Sequence, residues 1–180
     1  MPARMYQKAA ELIANPRNIK RVKIVDVPAM TPKRLAIHEA AHAAVALARG
    51  GRVGYATVKE SKTALGHVKV FHVKYPRSKA HSDAIATALA GVTAERIAYR
   101  GGHAGPAPWR YLISDDVCEA RKHAATKARR RHDREVVLQR QYVTTRRWLC
   151  AHWEAIQKLA FALMKRKRLT GKQIARLMSG

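Results

Sequence analysis

Acidic residues are scarce in this chain: 12 Asp and Glu stand against 36 Lys and Arg over 180 residues, for a formal net charge of +24. A field of that size draws in nucleic acid, acidic proteins or anionic lipid without specifying any of them, so the imbalance points to partners and not to chemistry. Cysteine is scarcer still. Cys118 and Cys150 stand alone with no CxxC spacing, which excludes a disulfide framework or a zinc knuckle and leaves two small apolar residues expected to be buried. No apolar run reaches the length that a signal peptide or a spanning helix needs, and the expectation is a soluble cytoplasmic protein. The phosphate-cradling pattern GxxxxGK[ST] is missing, so nothing points to ATP.

What is present suffices for a folded unit. An apolar fraction of 47% supports a real core, and the length is that of one domain. Residues 1–30 read as an N-terminal arm with a short helix and a strand, and residues 31–180 as the domain. Thr31-Pro32 starts a helix, with a hydroxyl at the cap and proline in the first turn, and Gly50-Gly51 ends it. Val53 to Val58 and Gly66 to Lys74 read as two strands of a small sheet. Ser82-Asp83 is expected to cap a helix running to about Tyr99; residues 101–113 are a Gly- and Pro-rich loop; Ser114 caps a further helix to about Arg130. Leu149, Trp153, Ile156, Leu159, Ala160 and Leu163 mark one long amphipathic helix. Thr170 and Gln173 have capping-box spacing for a last short one. The fold class is therefore mostly α with a small β-sheet (α+β) and a C-terminal helical bundle.

The chemistry is concentrated in residues 37–45, IHEAAHAAV. Histidines four apart share one helix face, so His38 and His42 can both reach one metal ion; Glu39 lies about 100° round the axis, within reach of a water on that metal. Ile37, Ala41, Ala44, Val45 and Ala48 form an apolar stripe that buries the helix and leaves the histidines at its border. The competing reading is a pair of structural histidines with Glu39 in a surface ion pair.

Catalytic zinc takes three protein ligands and a water. The extended pattern HExxHxxGxxH is broken here by Val45 and Ala48, so the third ligand comes from elsewhere: Glu95, Asp115, Asp116 or one of His67, His72, His81 and His103. Helix faces favour one of these. Asp115 shares its face with Glu119 and Lys122, whereas Asp116 shares its face with Ala120 and Ala124 and points inward; the macrodipole alone also favours an acidic residue at that helix start. Glu95 has Gly91, Val92, Ala98 and Tyr99 as its helical neighbours and no cation among them. It is expected to be buried, as a ligand or as the group orienting a ligand histidine.

Several segments together resemble the zinc peptidase domain of FtsH, the membrane-anchored AAA protease: IHEAAHAAVAL (37–47), ALGHV (64–68), LAGVTAERI (89–97), SDDVCEARKHA (114–124) and a tail ending KRKRLTGKQIARLM. The likeness spans roughly residues 31–180. It implies a zinc metalloendopeptidase with Zn2+ on His38, His42 and Asp116, Glu39 as the catalytic residue, and Glu95 near the metal without being a primary ligand. It also implies an extended polypeptide substrate lying along an edge strand in the ALGHV region. The family usually has glycine where this chain has Ala41, a substitution expected to be tolerated. No segment of these residues reads as the family's membrane anchor or ATPase module, and the expectation is therefore a stand-alone peptidase whose substrates are unfolded or flexible chains, cleaved without ATP. His103 and Tyr111 flank the loop before Asp116, where either could assist at the oxyanion.

The rival class is a weak or inactive peptidase fold serving as a basic binding module. From residue 121 onward 17 Lys and Arg face 3 Asp and Glu, including Lys127, Arg129, Arg130, Arg131 and the run from Lys165 to Arg168. Such a surface can contact nucleic acid or an acidic partner. No aromatic residues interleave with the charges as a single-strand stacking platform requires. Whether the chain forms a homo-oligomer is left open by its sequence.

Overall fold

A computed structural model describes residues 30–60, 66–71, 77–99 and 114–179. Residues 1–29 of the arm expected over 1–30, the loop at 101–113, and His72, His103 and Tyr111 lie outside the described residues. The elements run α1 (Pro32–Ala48), β1 (Arg52–Thr57), β2 (His67–Phe71), α2 (Arg77–Tyr99), α3 (Asp115–Lys127), α4 (Arg131–Ala151), α5 (Trp153–Arg166), β3 (Arg168–Thr170) and α6 (Gly171–Ser179). The molecule is mostly helical with a small antiparallel sheet, the α+β class that its sequence indicates.

Local chemistry sets the ends of the motif helix. The Thr31 hydroxyl accepts from the Arg34 amide at 3.2 Å and proline opens the first turn. At the other end Gly50, at φ 80°, donates to the Leu47 carbonyl, and Gly51 donates to Ala46. Only a residue without Cβ takes that left-handed turn at no steric cost.

Helix α2 is the shared wall of two cores. Its Ala86, Ala90 and Ala94 pack with Ala36, Ala40, Ala43 and Ala44 of α1 in one cluster. Ile85, Leu89 and Val92 pack with Val117, Ala120 and Ala124 of α3 and with Leu138 and Tyr142 of α4 in the other. Alanine on both sides of the α1–α2 contact lets the backbones approach closely, while large side chains space α2 from α3 and α4. Behind α1, Ile156, Leu159 and Leu163 of α5 are fully buried, each stabilising the fold by about 1.5–3 kcal/mol through burial. Helices α1 and α3 are thereby held on either side of α2.

The sheet has the order β2-β1-β3. Tyr55 pairs with Lys69 on one side and with Thr170 on the other, and the β1–β2 register shifts between Val53 and Tyr55. Strand β3 is a third strand where two were expected. Leu169 is its only buried residue, and one inward side chain in three residues gives no periodicity to read. Thr170 ends that strand and caps α6: its amide donates to the Gln173 side chain at 2.9 Å, the reciprocal contact that capping-box spacing calls for.

Three further expectations are corrected. Ser82-Asp83 is not a cap, because α2 begins at Arg77; Asp83 is buried in the helix and lies 3.6 Å from the Arg49 guanidinium. The long C-terminal helix is two helices, broken at His152, whose ring N–H donates to the Trp148 carbonyl at 2.9 Å and whose ring stacks on Trp148. Cys150 is exposed and Cys118 half-buried, so neither is a fully buried apolar residue. No helix among the described residues is long and apolar enough to cross a membrane.

Candidate metal centre

His38 and His42 project from α1 toward α2, and Asp116 reaches in from the first turn of α3. His38 Nε2 lies 2.9 Å from His42 Nε2 and 2.9 Å from Asp116 Oδ2, and His42 Nε2 lies 3.4 Å from the same oxygen. Among the described residues, this is the one group of three or more His, Cys, Asp or Glu whose donor atoms come within 4.8 Å of one another.

The outer atoms of the rings determine what the inner ones present. His42 Nδ1 lies 2.7 Å from the Thr87 carbonyl. A carbonyl only accepts, so Nδ1 carries a proton, and in its neutral form the ring turns a lone pair at Nε2 into the cluster. His38 Nδ1 lies 2.6 Å from Glu95 Oε1, and the same reasoning places its Nδ1–H on that carboxylate. Two ring lone pairs and one carboxylate oxygen then converge, an arrangement that repels itself unless a proton or a cation sits among them. Zinc–nitrogen distances of ~2.0–2.1 Å imply ligand–ligand edges of about 3.3 Å in a tetrahedron, close to the spacings seen. The donor set, two imidazoles and a carboxylate with their outer nitrogens anchored, fits a zinc-like ion.

Glu95 is in turn held by Arg34 of α1, whose Nε donates to Oε2. Burial raises the Glu95 pKa, but the His38 and Arg34 contacts outweigh it and leave the carboxyl below its ordinary range. Burial likewise opposes ionisation of Asp116; the charges and hydrogen bonds of His42 and His38 overcome it and hold Asp116 well below the usual carboxylate range. For His38 burial works against protonation, and the hydrogen bonds to Asp116 and Glu95 still push its pKa up to about 10. In the metal-free protein a proton on His38 thus balances the charge of the cluster.

Glu39 is 6% exposed, which removes the surface ion pair of the competing reading. Burial raises its pKa, against the lowering pull of His42 and His38. The chain enters β2 directly beside it: a Cβ on Gly66 would lie 2.6 Å from Glu39 Oε1. On the opposite side, a Cβ on Gly91 would lie 2.5 Å from both His38 Nε2 and His42 Nε2. Glycine at 91 is therefore what lets two rings lie against α2.

Of the alternatives for the third ligand that lie among the described residues, the structure brings in Asp116. Asp115 is exposed; His67 begins the exposed edge of β2; His81 lies against His123. Glu95 contacts His38 on the side away from the cluster. Arg34, Thr87, Gly66 and Gly91 were not singled out by the motif. The signal for Gly91 was its place in the interior of a 23-residue helix, where glycine costs about 1 kcal/mol relative to alanine. No family model matches the chain, and no curated protein matches it in sequence.

Proposed function

We propose that the chain is a zinc-dependent endopeptidase acting on unfolded or flexible polypeptides, of the kind its resemblance to the FtsH peptidase domain implies. The observation that carries this reading is the convergence of His38 Nε2, His42 Nε2 and Asp116 Oδ2 beside a buried glutamate. Zinc held by these three would polarise a peptide carbonyl and acidify a water. Glu39 accepts the proton of the attacking water and delivers it to the departing amine, so one carboxyl serves as base and then as acid. Its raised pKa suits both halves of that task, since burial makes it a better proton acceptor than an exposed glutamate. Glu95 and Arg34 hold the His38 ring, Thr87 holds the His42 ring, and Gly91 gives both the space to converge. The β2 edge adjoining Glu39 offers main-chain hydrogen bonds to an extended substrate, with little demand on its sequence.

The test is metal content and turnover together. Purified protein should carry about one zinc at this centre and cleave an unfolded casein-type substrate, and Glu39→Gln should keep the zinc and lose the cleavage. Equal cleavage by Glu39→Gln and wild type rejects the proposal.

A second reading rests on the surface. Arg129, Arg130, Arg131, Arg140 and the run from Lys165 to Arg168 are all exposed, a distribution that suits a nucleic-acid or acidic-protein partner. Binding of duplex DNA or RNA whose affinity falls steeply with salt would support it, and it is compatible with peptidase activity.

A further inference from the structure

A second pair of histidines meets outside the centre described above. His81 from the second turn of α2 and His123 from α3 point their Nδ1 atoms at each other, 2.8 Å apart, with ring centroids 5.1 Å apart and planes tilted by 47°. The far nitrogen of His123, Nε2, lies 3.2 Å from Glu119 Oε1 one turn earlier on α3. An ionised carboxylate only accepts, so it draws the ring proton to Nε2 and leaves the lone pair of His123 Nδ1 facing His81. Both histidines are half-buried, fixed by their helices yet open to solvent on one side.

We propose that His81 and His123 form a second binding site for a divalent transition-metal ion, coordinated by both Nδ1 atoms, with Glu119 as the orienting carboxylate and water completing the shell. Metal–nitrogen distances of ~2.0–2.1 Å place adjacent ligands of an octahedral or square-planar ion about 2.9 Å apart and those of a tetrahedral ion about 3.3 Å apart. The pair therefore needs no rearrangement for the first geometry and a separation of a few tenths of an ångström for the second. Imidazole pairs suit zinc, copper and nickel, and exclude magnesium and calcium, which take oxygen. Lys127 bonds to Ser82 beside His81, and the pair itself contains no carboxylate ligand. The site is accordingly weaker than the one that includes Asp116.

Its location gives it a consequence. His123 lies seven residues beyond Asp116 on α3, about 10 Å along the axis. An ion joining His81 to His123 fastens α3 to α2 across the seam from which Asp116 reaches its partners. The site stands independently of the peptidase reading, since it needs neither Glu39 nor cleavage.

The experiment is a zinc titration of the full chain by calorimetry, with ¹⁵N-histidine long-range NMR to identify the coordinating nitrogens. Two ions should bind wild type, the weaker one shifting the Nδ1 resonances of His81 and His123, while His38 and His42 coordinate through Nε2. His81→Gln and His123→Gln should each weaken the second ion by about tenfold or more and leave the first unchanged, and Glu119→Gln should weaken it roughly tenfold. The NMR measurement on wild type needs no variant to fold. Nδ1 resonances of His81 and His123 that stay unmoved at zinc saturation, ion binding indifferent to both histidine substitutions, or an Nδ1–H signal on either ring that survives saturation would overturn the proposal, whether or not the first centre fills.

Discussion

Gly91 and His42 are separated by less than a methyl group: a Cβ at residue 91 would sit 2.5 Å from His42 Nε2, and as close to His38 Nε2. The crossing of α1 over α2 is thus set by the two rings as much as by the alanines that flank them.

Gly91→Ala is the sharpest test of that crossing. Alanine gains about 1 kcal/mol of helix propensity, against about 1–3 kcal/mol for overpacking, so the change in stability is small and uninformative. Metal content is the informative readout. The added methyl must push both nitrogens aside, and zinc retained after dialysis should fall to near zero while the circular dichroism spectrum stays helical.

The groups behind the ligands should matter by a measurable and smaller amount. Glu95→Gln keeps the shape but loses the charge that orients His38, and zinc affinity should fall by roughly 10–100-fold. Asp116→Ala removes a donor atom and should lose more. Competition with a chromogenic chelator ranks the two; equal affinity of Glu95→Gln and wild type would show that Glu95 does not act through His38.

Removing the Glu39 carboxylate should separate binding from chemistry. Glu39→Gln should reduce turnover of an unfolded substrate by roughly 10²–10⁴-fold, with zinc content unchanged, because no donor atom of the three-residue cluster belongs to residue 39. Fluorescent casein release and metal analysis on the same preparation decide it.

Stability of the metal-free protein should depend on pH through His38. Its pKa is about 10 when folded, against 6.5 for the free side chain. A raised pKa means the folded state holds the proton more tightly, so the stabilisation is complete below pH 6.5 and disappears as pH rises toward 10. Asp116 and Glu95 are shifted down by the same contacts, and their share disappears only as pH falls below the ordinary carboxylate range. In chelator, the melting temperature should therefore decline from pH 6.5 to 9.5, and Asp116→Asn should move that decline to lower pH. Since zinc displaces the His38 proton, zinc affinity should rise over the same interval.

The parts of this site that were legible in the sequence are those whose geometry follows from helix periodicity. Spacing of four put His38 and His42 on one face, and the alanines beside Asp116, against the charges beside Asp115, selected the aspartate that faces inward. Glu95 was conspicuous for having no cation three or four residues away on its helix; its cationic partner is Arg34, which the fold delivers from another helix. No pattern of side chains reveals that Thr87 contributes a main-chain carbonyl. The same limit explains the errors in the fold. The break at His152 has neither proline nor glycine to mark it, and the apolar spacing from Leu149 to Leu163 runs through it unchanged.

The end of α5 hides a similar signal, which leads to a stability prediction. Lys167 caps that helix at φ 63°, a left-handed conformation that costs a residue with a Cβ roughly 1–2 kcal/mol. The conformation is held from both sides. Its amide donates to the Leu163 carbonyl at 2.7 Å, and its carbonyl accepts from the Val58 amide and the Thr57 hydroxyl, each at 2.9 Å, joining the helix end to β1. All three contacts are made by the backbone of residue 167, so Lys167→Gly keeps them and removes the strain. Glycine also makes the unfolded chain more flexible, which offsets up to about 1 kcal/mol. The net change should be a stabilisation of about 0.5–1 kcal/mol, read as a rise in the urea midpoint with an unchanged slope. Lys167→Ala retains the Cβ and should not reproduce it, which separates relief of backbone strain from loss of a positive charge in an already crowded basic run.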